Sequence, residues 1–259
     1  MDYAHQHGVL HRDLKPVVLP LVGQSGAGVT GIPNSATEDS SPFLDPNTPL
    51  PFNPSGMDIE DVHLLPDGRF ILVEEYSPSV VIAGADGEVL ARFTPASKTL
   101  PGADYPIRNT LPDVLASRRA NRGFESIAVS PDGRTGYTVT QSPLGSTSAG
   151  SPYRDSRVVR VLRLDLTDPL NLQVTGQFAV LMSAAADYPV GNAQRDLKIS
   201  SAAWVGNDVL LLLAVWRCGT VSSPAGVRPQ LESPHRDKIG VRLAPSKARG
   251  YQRPFPRGQ

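Results

Sequence analysis

Cysteine is almost missing: Cys218 is the single one in 259 residues. One thiol closes no intrachain disulfide and builds no cysteine-based metal site. Long apolar runs are missing as well. The longest, Val209 to Trp216, falls short of the ~20 residues that a membrane-spanning helix needs. No apolar stretch of the secretory kind opens the chain, so the reading is of a soluble protein without a signal peptide, cytoplasmic if taken literally. Charge of one sign is not in excess either, with 25 Lys and Arg against 25 Asp and Glu. A neutral balance gives no general attraction to nucleic acid or to an anionic membrane. Aromatic residues make up only 6%.

Proline (25) and glycine (23) are abundant. They predict many turns and short elements and disfavour an all-helical fold. Hydrophobic residues reach 40%, enough for a buried core. Four zones follow one another. Met1 to Pro16 is His-rich. Residues 17–55 are a lead-in rich in Gly, Pro and Ser. Residues 56–213 alternate short β-prone runs with turns. Residues 214–259 become basic, Pro-rich and aperiodic, and predict a disordered tail.

The third zone carries the architecture. Val62-His63-Leu64-Leu65, Phe70-Ile71-Leu72-Val73, Val80-Val81-Ile82 and Val89 to Phe93 are separated by turns that include Pro66-Asp67-Gly68 and Asp86-Gly87. Asp-Gly between β-prone runs is a hairpin mark, because Gly accepts the positive φ of a tight turn. Four such strands make one up-and-down sheet, the size of a propeller blade. The unit recurs 65 residues on: Glu60 to Arg69 matches Glu125 to Arg134, with Glu, Pro, Asp, Gly and Arg coincident. Strands are predicted at Thr135 to Val139, Arg157 to Leu164 and Gln173 to Leu181. A degraded third copy starts at Lys198-Ile199-Ser200 and turns at Gly206-Asn207-Asp208. Leu111 to Arg119 reads as a short helix inserted between blades, outside the sheet.

The predicted class is therefore all-β: an incomplete β-propeller of about two and a half antiparallel blades, with a short inserted helix and disordered ends, where closed rings have ~4–8 blades. The chain reads as a fragment, with a break in the gene model or reading frame after Leu213.

Several strings, in this order, carry a family resemblance: Gly31-Ile32-Pro33-Asn34-Ser35, Met57 to Val62, Glu74-Glu75-Tyr76-Ser77-Pro78, Asn121 to Ser126, Gln141-Ser142-Pro143-Leu144 and Arg195 to Ser200. From Gly31 to Leu213 the chain resembles the phytase-like family, described by its esterase-like activity. The resemblance implies a secreted or periplasmic propeller that hydrolyses a phosphate or carboxylic ester. Met1 to Pro16, with His11-Arg12-Asp13, resembles the catalytic loop of a Ser/Thr protein kinase. Val18 stands where that loop needs its metal-binding Asn, so no working kinase is expected.

Acidic residues gather at Asp58, Glu60, Asp61, Glu74 and Glu75. Equivalent positions on successive inner strands of a propeller face a shared axis. Glu60 and Glu125 are the candidate catalytic residues on that ground. With Glu75, favoured over Glu74 because the family keeps an acidic-Glu-Tyr string, they are candidate ligands for a hard cation such as Ca²⁺. Arg122 and Lys198 are candidates for holding the anionic part of a small-molecule substrate. Asp67, Asp86 and Asp132 read as turn residues. A metal-assisted ester hydrolase is the leading reading. A non-catalytic propeller that binds a ligand or partner stays open beside it, and a kinase fragment is a remote third.

Overall fold

The computed structural model describes residues 18–187 and 193–215, and the backbone of 236–242. The lead-in holds a small hairpin of β1 (Phe43–Asp45) and β2 (Thr48–Pro49). Three larger sheets follow. The first contains β3 (Ile59–Leu64), β4 (Phe70–Glu74), β5 (Ser79–Ala83) and β6 (Val89–Pro95), antiparallel and in chain order, with β7 (Ile107–Leu111) parallel to β6 at its outer edge. The second is β8 (Phe124–Val129), β9 (Thr135–Thr140), β10 (Val158–Asp165) and β11 (Gln173–Leu181). The third is β12 (Lys198–Gly206), β13 (Val209–Val215) and β14 (Arg236–Arg242).

Turn chemistry sets these hairpins. Gly68, Gly87 and Gly133 take φ of 86°, 88° and 70°, values that a side chain would strain. The preceding Asp67, Asp86 and Asp132 each accept the backbone N–H two residues on, at 3.1 Å, so all three are turn residues. In the third sheet Asn207 and Asp208 (φ 52° and 57°) do the same work, as these residues tolerate the left-handed region.

The sheets stack face to face, and burial explains their sequences. Ile71, Val73, Val80, Ile82 and Phe93 of the first sheet meet Ile127, Val129, Leu162 and Leu164 of the second. The second sheet's other face presents Tyr137, Val139, Val159 and Val161 to Ile199, Leu210 and Leu212 of the third. The Tyr137 and Trp204 rings stack there at 5.5 Å. Strands covered on both faces read as nearly continuous apolar runs, as β4 and β5 do. Each buried aliphatic side chain contributes about 1.5–3 kcal/mol. The lead-in is part of the core: Leu21, Val29 and Met57 cover Leu72, Val81 and Val89 on the first sheet's outer face.

The inner strands β3, β8 and β12 lie side by side. A repeated link joins them. Asp61 Oδ2 accepts Ile127 N at 2.9 Å and Ser126 Oγ at 2.7 Å. One sheet further, Ser126 Oγ accepts Ala202 N at 2.9 Å. Asp61 and Ser126 occupy the same repeat position, so the step from sheet to sheet is regular. No ring closes among the described residues, and Val62, Leu64 and Val205 stay 54–62% exposed on the two flanks. The fold is all-β and propeller-like but incomplete.

Two expectations need correction. Residues 100–120 do not stand outside the sheet. Ile107–Leu111 pairs with the free edge of β6, and the expected helix is a single 3-10 turn, Asp113–Ser117. β7 has apolar residues only at its ends, so its pattern gives no strand, and the available β6 edge decides. The expected tail also contributes a strand, since Arg236–Arg242 pairs with β13. The kinase-like residues 1–16 and tail residues 216–235 and 243–259 lie outside the described residues.

Candidate functional site

The site is built by one irregularity repeated three times. In each inner strand the ladder to the next strand skips a residue: between Ile59 and Asp61, between Phe124 and Ser126, and between Ile199 and Ser201. The skipped residues are Glu60, Glu125 and Ser200. A β-bulge leaves its extra residue unpaired and re-aims its side chain. Register then fixes two further sets. Asp58, Gly123 and Lys198 are equivalent, as are Glu75, Gln141 and Val215: Glu75 N bonds Asp58 O at 2.9 Å, Gln141 N bonds Gly123 O at 2.9 Å, and Lys198 opposes Val215.

The bulges bring the acids together. Asp58, Glu60 and Glu75 each place a carboxylate oxygen within 4.8 Å of the others. Gln141 Nε2 donates to Glu75 Oε1 at 2.8 Å and also to Glu125 Oε2, bridging the first two sheets. The Asn121 amide, with its nitrogen toward the acids, donates to Glu75 Oε2 at 3.0 Å and Asp39 Oδ2 at 3.2 Å. Gly123 is required here, because a Cβ would run into the Glu75 carbonyl.

The electrostatics follow from crowding. Partial desolvation, then Glu125 and Asp58, push Glu60 from the ordinary 4.5 to about 7, while Lys198 pulls the other way. Burial, then Glu60, Glu125 and Asp58, push Glu75 to about 8 against Lys198. Glu125 is raised by burial, opposed by the Gln141 hydrogen bond and Lys198. Asp58 is raised by burial, then by Glu74 and Asp39. The carboxylates thus share a place where Lys198 offsets only part of their negative charge, which is the condition a cation relieves.

Glu74 is different. It is fully buried and pairs with fully buried Arg92 at 2.8 Å. It also accepts Tyr76 N, Ser77 N and Ser79 Oγ at 2.9–3.0 Å, while Arg92 reaches Gly56 O and Tyr105 OH. This network fixes the loop that carries Glu75 and the approach to Asp58.

Of the residues predicted from sequence, Glu60, Glu75, Glu125 and Lys198 meet at this mouth. Arg122 faces Ser142 Oγ at 3.1 Å and the Arg195 carbonyl at 2.6 Å, tying the start of β8 to the segment before β12. Asp58, Gln141 and Asn121 were given no role by the sequence reading. Gln141 shows its kinship with Glu75 only when the register is known.

The donor set is all oxygen, and the buried Gln141 Oε1 has no hydrogen-bond partner. That chemistry fits a hard cation, and the acidic cluster could hold a metal ion. Fold and site together define a propeller-like β-protein with an acidic mouth where its inner strands begin. Residues 22–229 match the family model "Phytase-like: Esterase-like activity of phytase", and the chain belongs to that family. The match extends beyond Leu213, where the sequence reading ended it. The chain is also similar to an uncharacterized secreted protein of Arthroderma benhamiae, 28% identical over 145 residues. That alignment covers 51% of this chain and 28% of the relative's length.

Proposed function

We propose that this chain is a hydrolase domain for a phosphate or carboxylic ester, working with a bound Ca²⁺. The observation that carries the reading is the convergence of two bulge glutamates from neighbouring sheets, Glu60 and Glu125, with Asp58 and buried Glu75. Asp58, Glu60, Glu75 and Glu125 would hold the cation, whose chemistry when bound is to polarise an ester oxygen and acidify a water. Glu60 is the most accessible of the four, which suits a group that takes a proton from attacking water. Glu125, kept in place by Gln141, is its partner across the mouth. Lys198 holds the anionic part of the substrate. Arg122, oriented by Ser142 and the Arg195 carbonyl, adds positive charge at the start of β8.

The domain division of the sequence reading belongs to the same proposal with its far boundary moved: residues 17–55 are the lead-in, and the propeller portion that starts at residue 56 runs past 213 to include β13 and β14. No helix among the described residues is long and apolar enough to cross a membrane. The similar fungal protein is described as secreted, which supports an exported setting, where Ca²⁺ is plentiful.

The test is hydrolysis of p-nitrophenyl phosphate and p-nitrophenyl acetate with Ca²⁺, after chelation, and after Ca²⁺ is restored. Turnover lost on chelation and regained with Ca²⁺ is expected. No turnover of either ester, or turnover indifferent to chelator, contradicts the proposal.

A further inference from the structure

We infer that Ser200, the residue extruded by the third bulge, is a substrate-contacting residue that works with Lys198 to seat an anionic oxygen. The inference rests on the hydrolase reading and deepens it by splitting the mouth into a cation side and an anion side.

The placement comes from the backbone. The same ladder skip frees Glu60, Glu125 and Ser200. The sheet-to-sheet link is also the same, with Ile127 N bound to Asp61 and Ala202 N bound to Ser126. β12 is further anchored at the mouth, since Ile199 N donates to Gln141 O at 2.8 Å. Ser200 therefore follows Glu60 and Glu125 around the axis. It is half-buried. Lys198, two residues earlier, sits close enough to bear on Glu60, Glu75 and Glu125.

The chemistry changes across the three sheets at matched positions. The first supplies Asp58, Glu60 and Glu75. The second supplies Gly123, Glu125 and Gln141. The third supplies Lys198, Ser200 and Val215. Negative charge falls step by step and turns positive at the third lip. A carboxylate at position 200 would repel an anion and leave Lys198 neutralised. A hydroxyl carries no charge and donates one hydrogen bond to an anionic oxygen beside the ammonium, the stronger kind of hydrogen bond. Ser200 is thus the residue that lets an anion, and not a second cation, occupy this side.

The experiment is calorimetric titration of the full chain with Ca²⁺ alone, then with inorganic phosphate in the presence of Ca²⁺, for wild type, Ser200→Ala, Ser200→Thr and Ser200→Glu. The near-ultraviolet dichroism of the stacked Tyr137 and Trp204 reports whether the third sheet is intact. Expected results are phosphate binding weakened about tenfold or more in Ser200→Ala, the scale of one hydrogen bond to a charged group. Ser200→Thr restores it, Ser200→Glu abolishes it, and Ca²⁺ affinity does not fall in any of them. Wild-type phosphate affinity in folded Ser200→Ala or Ser200→Glu overturns the inference, as does absence of phosphate binding by Ca²⁺-loaded wild type. Absence of Ca²⁺ binding by wild type is a separate result and overturns the hydrolase reading beneath it.

Discussion

The first and third sheets offer the same backbone to the mouth and opposite chemistry. Both have a bulged inner strand, a tight turn after it and an apolar second strand. In the first sheet the bulge and its flanks carry Asp58, Glu60 and Glu75. In the third the matched positions carry Lys198, Ser200 and Val215. The fold specifies where a side chain will point, and the residue written at that position decides what it can bind. The first sheet is also braced by a charged interior, Glu74 with Arg92, while Thr140 and Ala214 hold the Glu74 position in the other two. Concentrating carboxylates on one lip calls for a rigid support, and the buried pair beneath Glu75 supplies it.

The largest expected effect tests that support. Arg92→Met leaves Glu74 buried without its partner, and loss of one member of such a pair costs about 3–5 kcal/mol. Urea denaturation of the full chain should show it, together with loss of Ca²⁺ binding through the displaced loop. A small change would mean that the two lips do not differ in their foundations.

Next comes the acidic lip itself. Glu75→Gln should weaken Ca²⁺ binding by ~100-fold, and Gln141→Leu, which removes an orienting partner, by ~10-fold. The matched change in the third sheet, Val215→Ala, should leave Ca²⁺ affinity untouched. Equal losses at both lips, read by calorimetry, would erase the contrast.

The pH dependence sharpens it further. In the Ca²⁺-free protein Glu60 and Glu75 titrate near 7 and 8, above the 4.5 they hold when unfolded. Between these values the folded state binds more protons than the unfolded one. Stability should therefore fall as pH rises from 4.5 through about 8. Saturating Ca²⁺ favours the ionised groups, so it should flatten or reverse the slope. Thermal denaturation across this range with and without Ca²⁺ reads the difference. A Ca²⁺-free protein that gains stability from pH 5 to 8 contradicts the crowding of carboxylates.

The smallest effect concerns the link shared by all inner strands. Asp61→Ala deprives Ile127 N and Ser126 Oγ of their acceptor and should cost about 1–3 kcal/mol, without altering Ca²⁺ affinity more than a few-fold.

Much of this was legible in the sequence because turn chemistry is local. Asp67-Gly68, Asp86-Gly87 and Asp132-Gly133 mark the hairpins, and the coincidence of Glu60 with Glu125 exposes the repeat. Glu75 stands out from Glu74 by its family string, and the structure gives the two glutamates separate environments. What could not be read depends on pairing. β7 has no strand pattern and exists because β6 offers a free edge. Gln141 aligns with Glu75 only once the strand register is known, since the turn between the second repeat's first two strands is one residue longer. Arg92 looks like a surface residue on an alternating strand, and only the stacked lead-in and Tyr105 bury it.

The central claim is that neighbouring bulged strands deliver Glu60 and Glu125 to one cation site with Asp58 and Glu75. Calorimetric Ca²⁺ titration of Glu60→Gln, Glu125→Gln and the double variant tests it most directly. The account predicts a single class of site, weakened by each change, with a coupling between the two that departs from additivity. Unaltered Ca²⁺ binding in the folded double variant would contradict it.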